Sequence, residues 1–196
     1  MATTRAQQRE ATRRALLLEG RRRFGAEGYH EVVLTEIARA SGVTKGAAYH
    51  HFGSKLGLFR AVAAQLQDEL GERVAETADR HQDPWERLLA GCRAFLAAGA
   101  DPTVRRVLLV DAPTVLGWDE WRAMDEGSSA RHLAEALETA AAAGLIAEGP
   151  VEPLARLLSG AMNEAVLWLA RSEDPRALEQ TEQSLQRLLN GLRTDR

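Results

Sequence analysis

Twelve consecutive residues contain five side chains that can bind an anion, namely Thr44, Lys45, Tyr49, His50 and Lys55. Tyr49 and His50 can reach phosphate oxygens from the end of a short predicted helix, as the positioning contacts of nucleic-acid-binding proteins do. Lys55 falls in the first turn of the next predicted helix, where free backbone N–H groups also favour an anion. Phosphate binding is therefore the chemistry that this stretch predicts.

Other chemistries have little support in the sequence. His50 and His51 are adjacent, so on a helix they point about 100° apart and cannot share a metal ion by themselves. The other histidines, His30, His81 and His132, are isolated. The sequence contains no phosphate-cradling glycine-rich loop, no Gly-x-Ser-x-Gly elbow and no Cys-x-x-Cys pair. We therefore predict a protein that is not an enzyme and that uses no metal and no cofactor.

A helix-turn-helix near residues 33–52 is predicted to position the anion-binding groups. Ile37 and Val43 supply apolar side chains on either side of the turn, and Ala38 is small where two helices approach closely. Gly42 can adopt the positive φ that a sharp turn after a helix needs.

The second helix of this motif has the shape of a DNA-reading helix. Thr44 can cap its start. Its outer face is predicted to be slim enough to enter the major groove, because it is formed by Gly46, Ala47 and Ala48.

This stretch resembles the DNA-binding head of the TetR family, from about Glu10 to Leu70. The most specific matches are Ile37-Ala38, Gly42-Val43, Lys45-Gly46, Tyr49-His50-His51-Phe52 and Ser54-Lys55. The resemblance implies that DNA is contacted by Thr44, Lys45, Gly46, Ala47, Tyr49, His50 and Lys55. One departure is Val33, which replaces the Ser or Thr that commonly caps the first short helix in the family. We expect Thr35 to take over part of the missing phosphate contact.

The charge distribution is compatible with a head that meets a polyanion. Residues 1–60 contain eleven Lys and Arg residues against five Glu, a net charge of +6. The remainder contains 14 basic and 23 acidic residues, a net charge of −9. Charge alone leaves open whether Arg21, Arg22 and Arg23 form only a solvated helix face, and the helix-turn-helix pattern favours DNA binding.

Helical periodicity dominates the whole chain and predicts an all-α protein of about nine helices. We expect a three-helix DNA-binding domain over residues 10–70 and a regulatory and dimerisation domain over residues 71–196. The segment from Asp111 to Met124 is expected to be less regular. A single cysteine and the absence of any apolar run of membrane-spanning length predict a cytoplasmic protein with no membrane contact.

A ligand cavity is predicted in the C-terminal part, as the resemblance implies. Three of the four tryptophans lie between Trp85 and Trp121, and aromatic and soft side chains commonly line ligand sites. Taken one at a time, these residues fit ordinary core packing better. The candidates are Trp85, Cys92, Phe95, Trp118, Trp121 and Met124, with Asp111, His132 and Asn163 as polar partners.

The last two predicted helices are expected to form a homodimer. Helix 153–171 is apolar on more than one face, and pairing with helix 175–190 and their symmetry mates would bury the excess. The predicted function is sequence-specific binding of a near-palindromic double-stranded operator by a repressor that a small, largely apolar effector releases. The alternative is a helical ligand-binding or scaffold protein that no longer binds DNA.

Overall fold

The computed structural model of the protein describes residues 4–194, and this part is helical without strands, which confirms the all-α class. The first five helices are α1 (Arg5–Glu27), α2 (Leu34–Ala40), α3 (Lys45–Phe52), α4 (Lys55–Ala78) and α5 (Pro84–Gly99). A continuous helical segment follows, made of α6 (Pro102–Val104), a π-helix termed π1 (Arg105–Asp111) and α7 (Ala112–Val115). The remaining helices are α8 (Trp118–Glu126), α9 (Ser129–Ala142), α10 (Val151–Leu169) and α11 (Ala177–Asn190).

The helices form two compact units. The first unit contains the residues up to Leu66 together with Pro102–Trp121, and the second contains Gln67–Asp101 together with the residues from Arg122 onward. The division of function between residues 10–70 and 71–196 stays a prediction. Within the described range, no helix is both long enough and apolar enough to cross a membrane.

The first unit has a core drawn from α1, α2, α3 and α4. Phe24 and Phe59 are fully buried, and their rings meet edge to face with centroids 5.1 Å apart. Gly20 allows α4 to approach α1, because a Cβ there would lie 3.3 Å from Cγ2 of Val62. A capping box begins α1, in which the Thr4 hydroxyl accepts the Gln7 N–H and the Gln7 side chain accepts the Thr4 N–H.

The segment after Asp101 differs from the sequence-based expectation. We expected a less regular stretch from Asp111 to Met124, whereas α7 and most of α8 occupy it. Pro113 lies in the first turn of α7, just after the wider π-helical turns, where its missing N–H is tolerated. Gly117, with φ of +89°, separates α7 from α8, so the predicted break exists but is confined to that junction.

The second unit is built on the second half of α4 and on α5, α9, α10 and α11. Asp83 begins α5, since its Oδ1 accepts the N–H groups of Trp85 and Glu86 at 3.0 Å. Gly99 allows α5 to pass close to α10, because a Cβ there would lie 2.4 Å from Cγ2 of Val166. Close contact among α5, α9 and α10 positions the walls of the cavity described below.

Candidate nucleic-acid interface and helical cavity

The turn between α2 and α3 is held by residues within the motif itself. Ile37 and Ala38 are buried, and Gly42 adopts a φ of +69°. This conformation lets the Val43 N–H donate to the Ala38 carbonyl at 3.0 Å, which satisfies one of the last carbonyls of α2. The start of α2 has no side-chain cap. Its N-cap residue is Val33, whose hydrocarbon side chain cannot accept a backbone N–H.

Helix α3 presents a polar outer face. Thr44 caps it by accepting the Ala47 N–H at 3.2 Å. Lys45, Tyr49 and His50 are exposed, and the Lys45 ammonium lies 5.7 Å from the Tyr49 ring centre. The prediction that Ala48 belongs to the outer face is wrong, because its side chain is fully buried among the head helices. The slim part of the face is therefore limited to Gly46 and Ala47.

Lys55 has a structural role that the sequence did not predict. Its ammonium donates to the carbonyls of Tyr29 at 2.9 Å, Val32 at 3.0 Å and His30 at 3.4 Å. It also lies 4.3 Å from the centre of the Tyr29 ring. These contacts fix the turn between α1 and α2. The phosphate contact expected of Lys55 stays a prediction, and a phosphate would compete with three carbonyl oxygens for its ammonium group.

The turn between α1 and α2 is also held by two residues of π1, which lie far from it in sequence. Oδ2 of the buried Asp111 accepts the Tyr29 N–H at 2.9 Å. The Arg106 guanidinium donates to the Glu27 carbonyl at 3.1 Å and lies against Gly28, where a Cβ would come within 2.4 Å of it. Asp111, which we predicted as a polar partner of a ligand, is thus engaged by the backbone of the head. Nothing in the sequence around Arg106 or Asp111 indicates that these residues contact the turn.

Arg22 and Arg23 form ion pairs inside the head. Arg22 and Arg23 both donate to Glu19, and Arg23 also reaches Glu36 of α2 at 3.0 Å. The hydrogen bond from Arg22, reinforced by Arg23, lowers the pKa of Glu19 to about 2 against a smaller opposing effect of burial. For Arg22 and Arg23 this favours a stabilising role over direct contact with a polyanion.

His51 lies among positive groups near the start of α1. Burial lowers its pKa, and the nearby charges of Arg9, His50 and Arg13 lower it further. The imidazole is therefore less readily protonated than an exposed one. In the part of the chain that the structure describes, no group of three or more His, Cys, Asp or Glu side chains is placed to hold a metal ion.

A cavity of about 300 Å³ lies in the second unit between α4, α5, α9 and α10. Three of the predicted ligand residues line it, namely Cys92, Phe95 and His132. Its remaining walls come from Val74, Ala75, Ala78, Asp79, Pro84, Arg87, Leu88, Gly91, Ser129, Leu133, Glu135, Ala136, Thr139 and Met162. The buried Met162 was missed, because nothing in the sequence separates it from the other core residues of α10.

The other predicted ligand residues lie elsewhere. Trp118 and Trp121 belong to the first unit, where their ring centres are 4.8 Å apart. Trp85 is buried with the Arg193 guanidinium 5.1 Å from its ring, and neither it nor Met124 contributes to the cavity wall. Asn163 is also outside the wall, and its Oδ1 is buried without a hydrogen-bond donor among the described residues.

Known proteins resemble both parts of the chain. The family model for bacterial regulatory proteins of the tetR family matches residues 16–62, and that for the tetracyclin repressor-like C-terminal domain matches residues 85–192. A crystal structure of a TetR-family transcriptional regulator from Pectobacterium atrosepticum is 34% identical with a TM-score of 0.80. That similarity covers 98% of this chain and 99% of the other.

Two curated relatives match over shorter stretches. The transcriptional activator FasR of Mycolicibacterium smegmatis is 37% identical over 87 residues, which cover 44% of this chain and 40% of FasR. The transcriptional repressor BepR of Brucella suis is 44% identical over 78 residues, which cover 40% of this chain and 37% of BepR. The chain thus matches about two fifths of the length of these relatives.

Proposed function

The chain belongs to the TetR family of bacterial transcriptional regulators, and on that premise we propose that it is a homodimeric, DNA-binding repressor. A small, largely apolar effector releases it from a near-palindromic operator. The observation that carries this proposal is α3, a capped helix with a buried inner side and with Lys45, Tyr49 and His50 exposed on its outer side. The alternative of a scaffold without DNA binding is not favoured, because the reading helix and its turn are intact.

On DNA, α3 enters the major groove. Gly46 and Ala47 allow close approach of the helix to the base edges, and Lys45 lies beside them to read bases. Tyr49 and His50 meet phosphates, with Thr44 at the helix start and Thr35 in the first turns of α2. Lys55 contributes chiefly by holding the turn before α2, which sets the position of both short helices.

Dimer formation is supported by apolar side chains that α10 and α11 leave exposed. Leu157 of α10 is 73% exposed and Leu188 of α11 is 61% exposed, and Trp168 and Leu178 are also exposed. Contact between these helices and a second copy removes the apolar surface from water. A two-fold dimer presents two α3 helices to successive major grooves, roughly 34–36 Å apart.

The DNA part of the proposal is tested by a mobility shift with DNA from around the protein's own gene, after selection of bound sequences from random DNA. Lys45→Ala combined with Tyr49→Ala removes two exposed side chains of α3 and should abolish specific binding. Arg80→Ala, an exposed cation after α4, is the control and should bind as the parent does. Parent-like binding by the double variant would reject α3 as the reading helix.

The assembly is tested separately by sedimentation at micromolar concentration. The parent should sediment as a dimer, and Leu188→Glu should shift it toward monomer because a charge would be buried in the contact. A parent that is monomeric, or a variant that remains fully dimeric, would contradict the proposed interface. Glu182→Gln, another change on α11, serves as the control for an effect of substitution itself.

A further inference from the structure

The arginines in the two halves of α1 differ in their partners. In the second half, Arg22 and Arg23 both form ion pairs with Glu19. In the first half, Arg9 and Arg13 are exposed, and within residues 4–194 neither has an acidic partner at ion-pair distance. The positive charge of the first half is therefore available to a group outside the chain.

The spacing of Arg9 and Arg13 adds to this difference. Both belong to regular helix, since α1 begins at Arg5, and residues four apart lie on the same face of a helix. Two like charges at this spacing repel each other and destabilise the helix that carries them. The pair therefore does not stabilise α1 by itself, whereas a negative group bound between the two side chains would remove the repulsion.

This face of α1 meets the carboxyl end of α3. The Arg13 guanidinium lies 5.7 Å from the centre of the Phe52 ring. Burial is the largest cause of the lowered pKa of His51, and the charges of Arg9 and Arg13 lower that pKa further. The His50 ring lies 5.9 Å from the His51 ring. Four basic side chains from two helices therefore lie together at this point.

Little negative charge opposes this basic cluster, which consists of Arg9, Arg13, His50 and His51. Glu10 acts on His51 in the opposite sense, and its effect is smaller than that of either arginine. The carboxyl end of α3 supplies about half a negative charge through its helix dipole. Such a partial charge does not balance two guanidinium groups.

We propose that Arg9 and Arg13 form a second phosphate-binding site, which holds the DNA backbone beside the carboxyl end of α3. A guanidinium group presents its N–H donors in a fork that matches the oxygens of a phosphate, and His50 lies on the same side. The inference rests on the proposed function in taking the bound polyanion to be duplex DNA. It goes further by placing α1, which lies outside the helix-turn-helix, against the DNA backbone.

The first test is the salt dependence of DNA binding by the full chain. Arg9→Gln with Arg13→Gln should lower the slope of log affinity against log salt by about two per protomer. The selected operator and a random duplex should be weakened by the same factor, on the order of tenfold or more, because phosphate contacts carry no sequence information. Fluorescence anisotropy of labelled duplexes between about 50 and 200 mM salt measures both quantities.

Arg14→Gln is the matched control. Arg14 is also an exposed arginine of α1, but it follows Arg13 directly and therefore points about 100° away from it around the helix. This variant loses the same charge and should keep the salt slope of the parent. An equal loss of slope in the control and in the double variant would overturn the assignment of the site to Arg9 and Arg13.

A purely structural role of the two arginines predicts a different result. If they only stabilise the end of α3, the double variant has a lower urea midpoint and the salt slope of the parent. Arg9→Lys with Arg13→Lys should restore the slope in the proposed site, because an ammonium group also binds phosphate. If the double variant fails to fold, Arg9→Gln alone should lower the slope by about one per protomer.

Neutral methylphosphonate groups locate the contact on the operator. Single phosphates of the selected duplex are replaced one at a time. At the contacted positions the parent should lose affinity on the order of tenfold, whereas the double variant of Arg9 and Arg13 should lose nothing further. A parent and a double variant with the same profile along the operator would overturn the proposal.

The outcomes separate this inference from the proposed function. Binding that Lys45→Ala with Tyr49→Ala abolishes, but whose salt slope is unchanged in the double variant of Arg9 and Arg13, rejects the site on α1 and leaves the proposed function standing. A parent that binds no duplex rejects both.

Discussion

The two turns of the head are held in different ways. The turn between α2 and α3 depends on its own residues, with Gly42 in the left-handed region and Thr44 as a cap. The turn between α1 and α2 depends on Lys55 of α4 and on Arg106 and Asp111 of π1. Helix α3 is therefore positioned by neighbouring residues, whereas the turn that precedes the two short helices is held by residues distant in sequence.

The largest effect is expected from the ammonium that holds the first turn. Lys55→Met should lower the free energy of unfolding by about 3 kcal/mol, because three carbonyls lose a charged donor. Urea unfolding followed by circular dichroism measures this, and Lys55→Arg should restore part of the loss. Parent-like stability with a salt slope of DNA binding reduced by about one would instead support the phosphate contact predicted from the sequence.

A smaller loss is expected at π1. Asp111→Ala leaves the Tyr29 N–H without its acceptor and should cost about 2 kcal/mol, whereas Asp111→Asn keeps an acceptor oxygen and should cost less. The exposed Asp119, also in the first unit, offers the control Asp119→Asn. Equal stability of the alanine and asparagine variants would mean that this hydrogen bond does not hold the turn.

Substitutions at the N-caps of α3 and α2 should change the free energy of unfolding in opposite directions. Thr44→Ala should destabilise the protein by about 1 kcal/mol by removing the α3 cap, and Val33→Thr should stabilise it by a similar amount by giving α2 a cap. Val33→Thr should also strengthen DNA binding if its hydroxyl meets a phosphate. Thermal unfolding and a mobility shift on both variants check the two signs.

An effect confined to low pH concerns acid stability, because Arg23 joins Glu19 of its own helix to Glu36 of α2. The folded-state pKa of Glu19 is about 2, below its ordinary value of 4.5. Its carboxylate therefore stabilises the folded protein above pH 4.5, and this contribution is lost as the pH falls toward 2. Glu19→Gln should flatten the pH dependence of unfolding between pH 4.5 and 2, and an unchanged profile would contradict the assignment.

Local signals made the first helices predictable. The helix-turn-helix was expected near residues 33–52, and α2 and α3 together span residues 34–52. The prediction for Ala48 failed because a helix of eight residues is too short for periodicity to identify its buried side.

Long-range contacts were not predictable in the same way. Trp118 and Trp121 were grouped with Trp85 because they are near in sequence, yet the chain changes unit between them and Trp85. Cys92 and Phe95 share the cavity wall because three-residue spacing puts them on one face of α5. The hydrogen bond from Tyr29 to Asp111 spans 82 residues, and no local pattern indicates such a pairing.

The discontinuity of the first unit also orders its formation during synthesis. Residues 67–101 of the second unit are made before Arg106 and Asp111, so helices α1 to α4 are synthesised before these partners. Closing a contact over 82 residues costs loop entropy that local turns do not, which makes it a late and slow step. In a nascent chain shorter than 111 residues, the turn between α1 and α2 is therefore held by Lys55 without Asp111, and the first unit gains its full set of turn contacts only after Asp111 has been made.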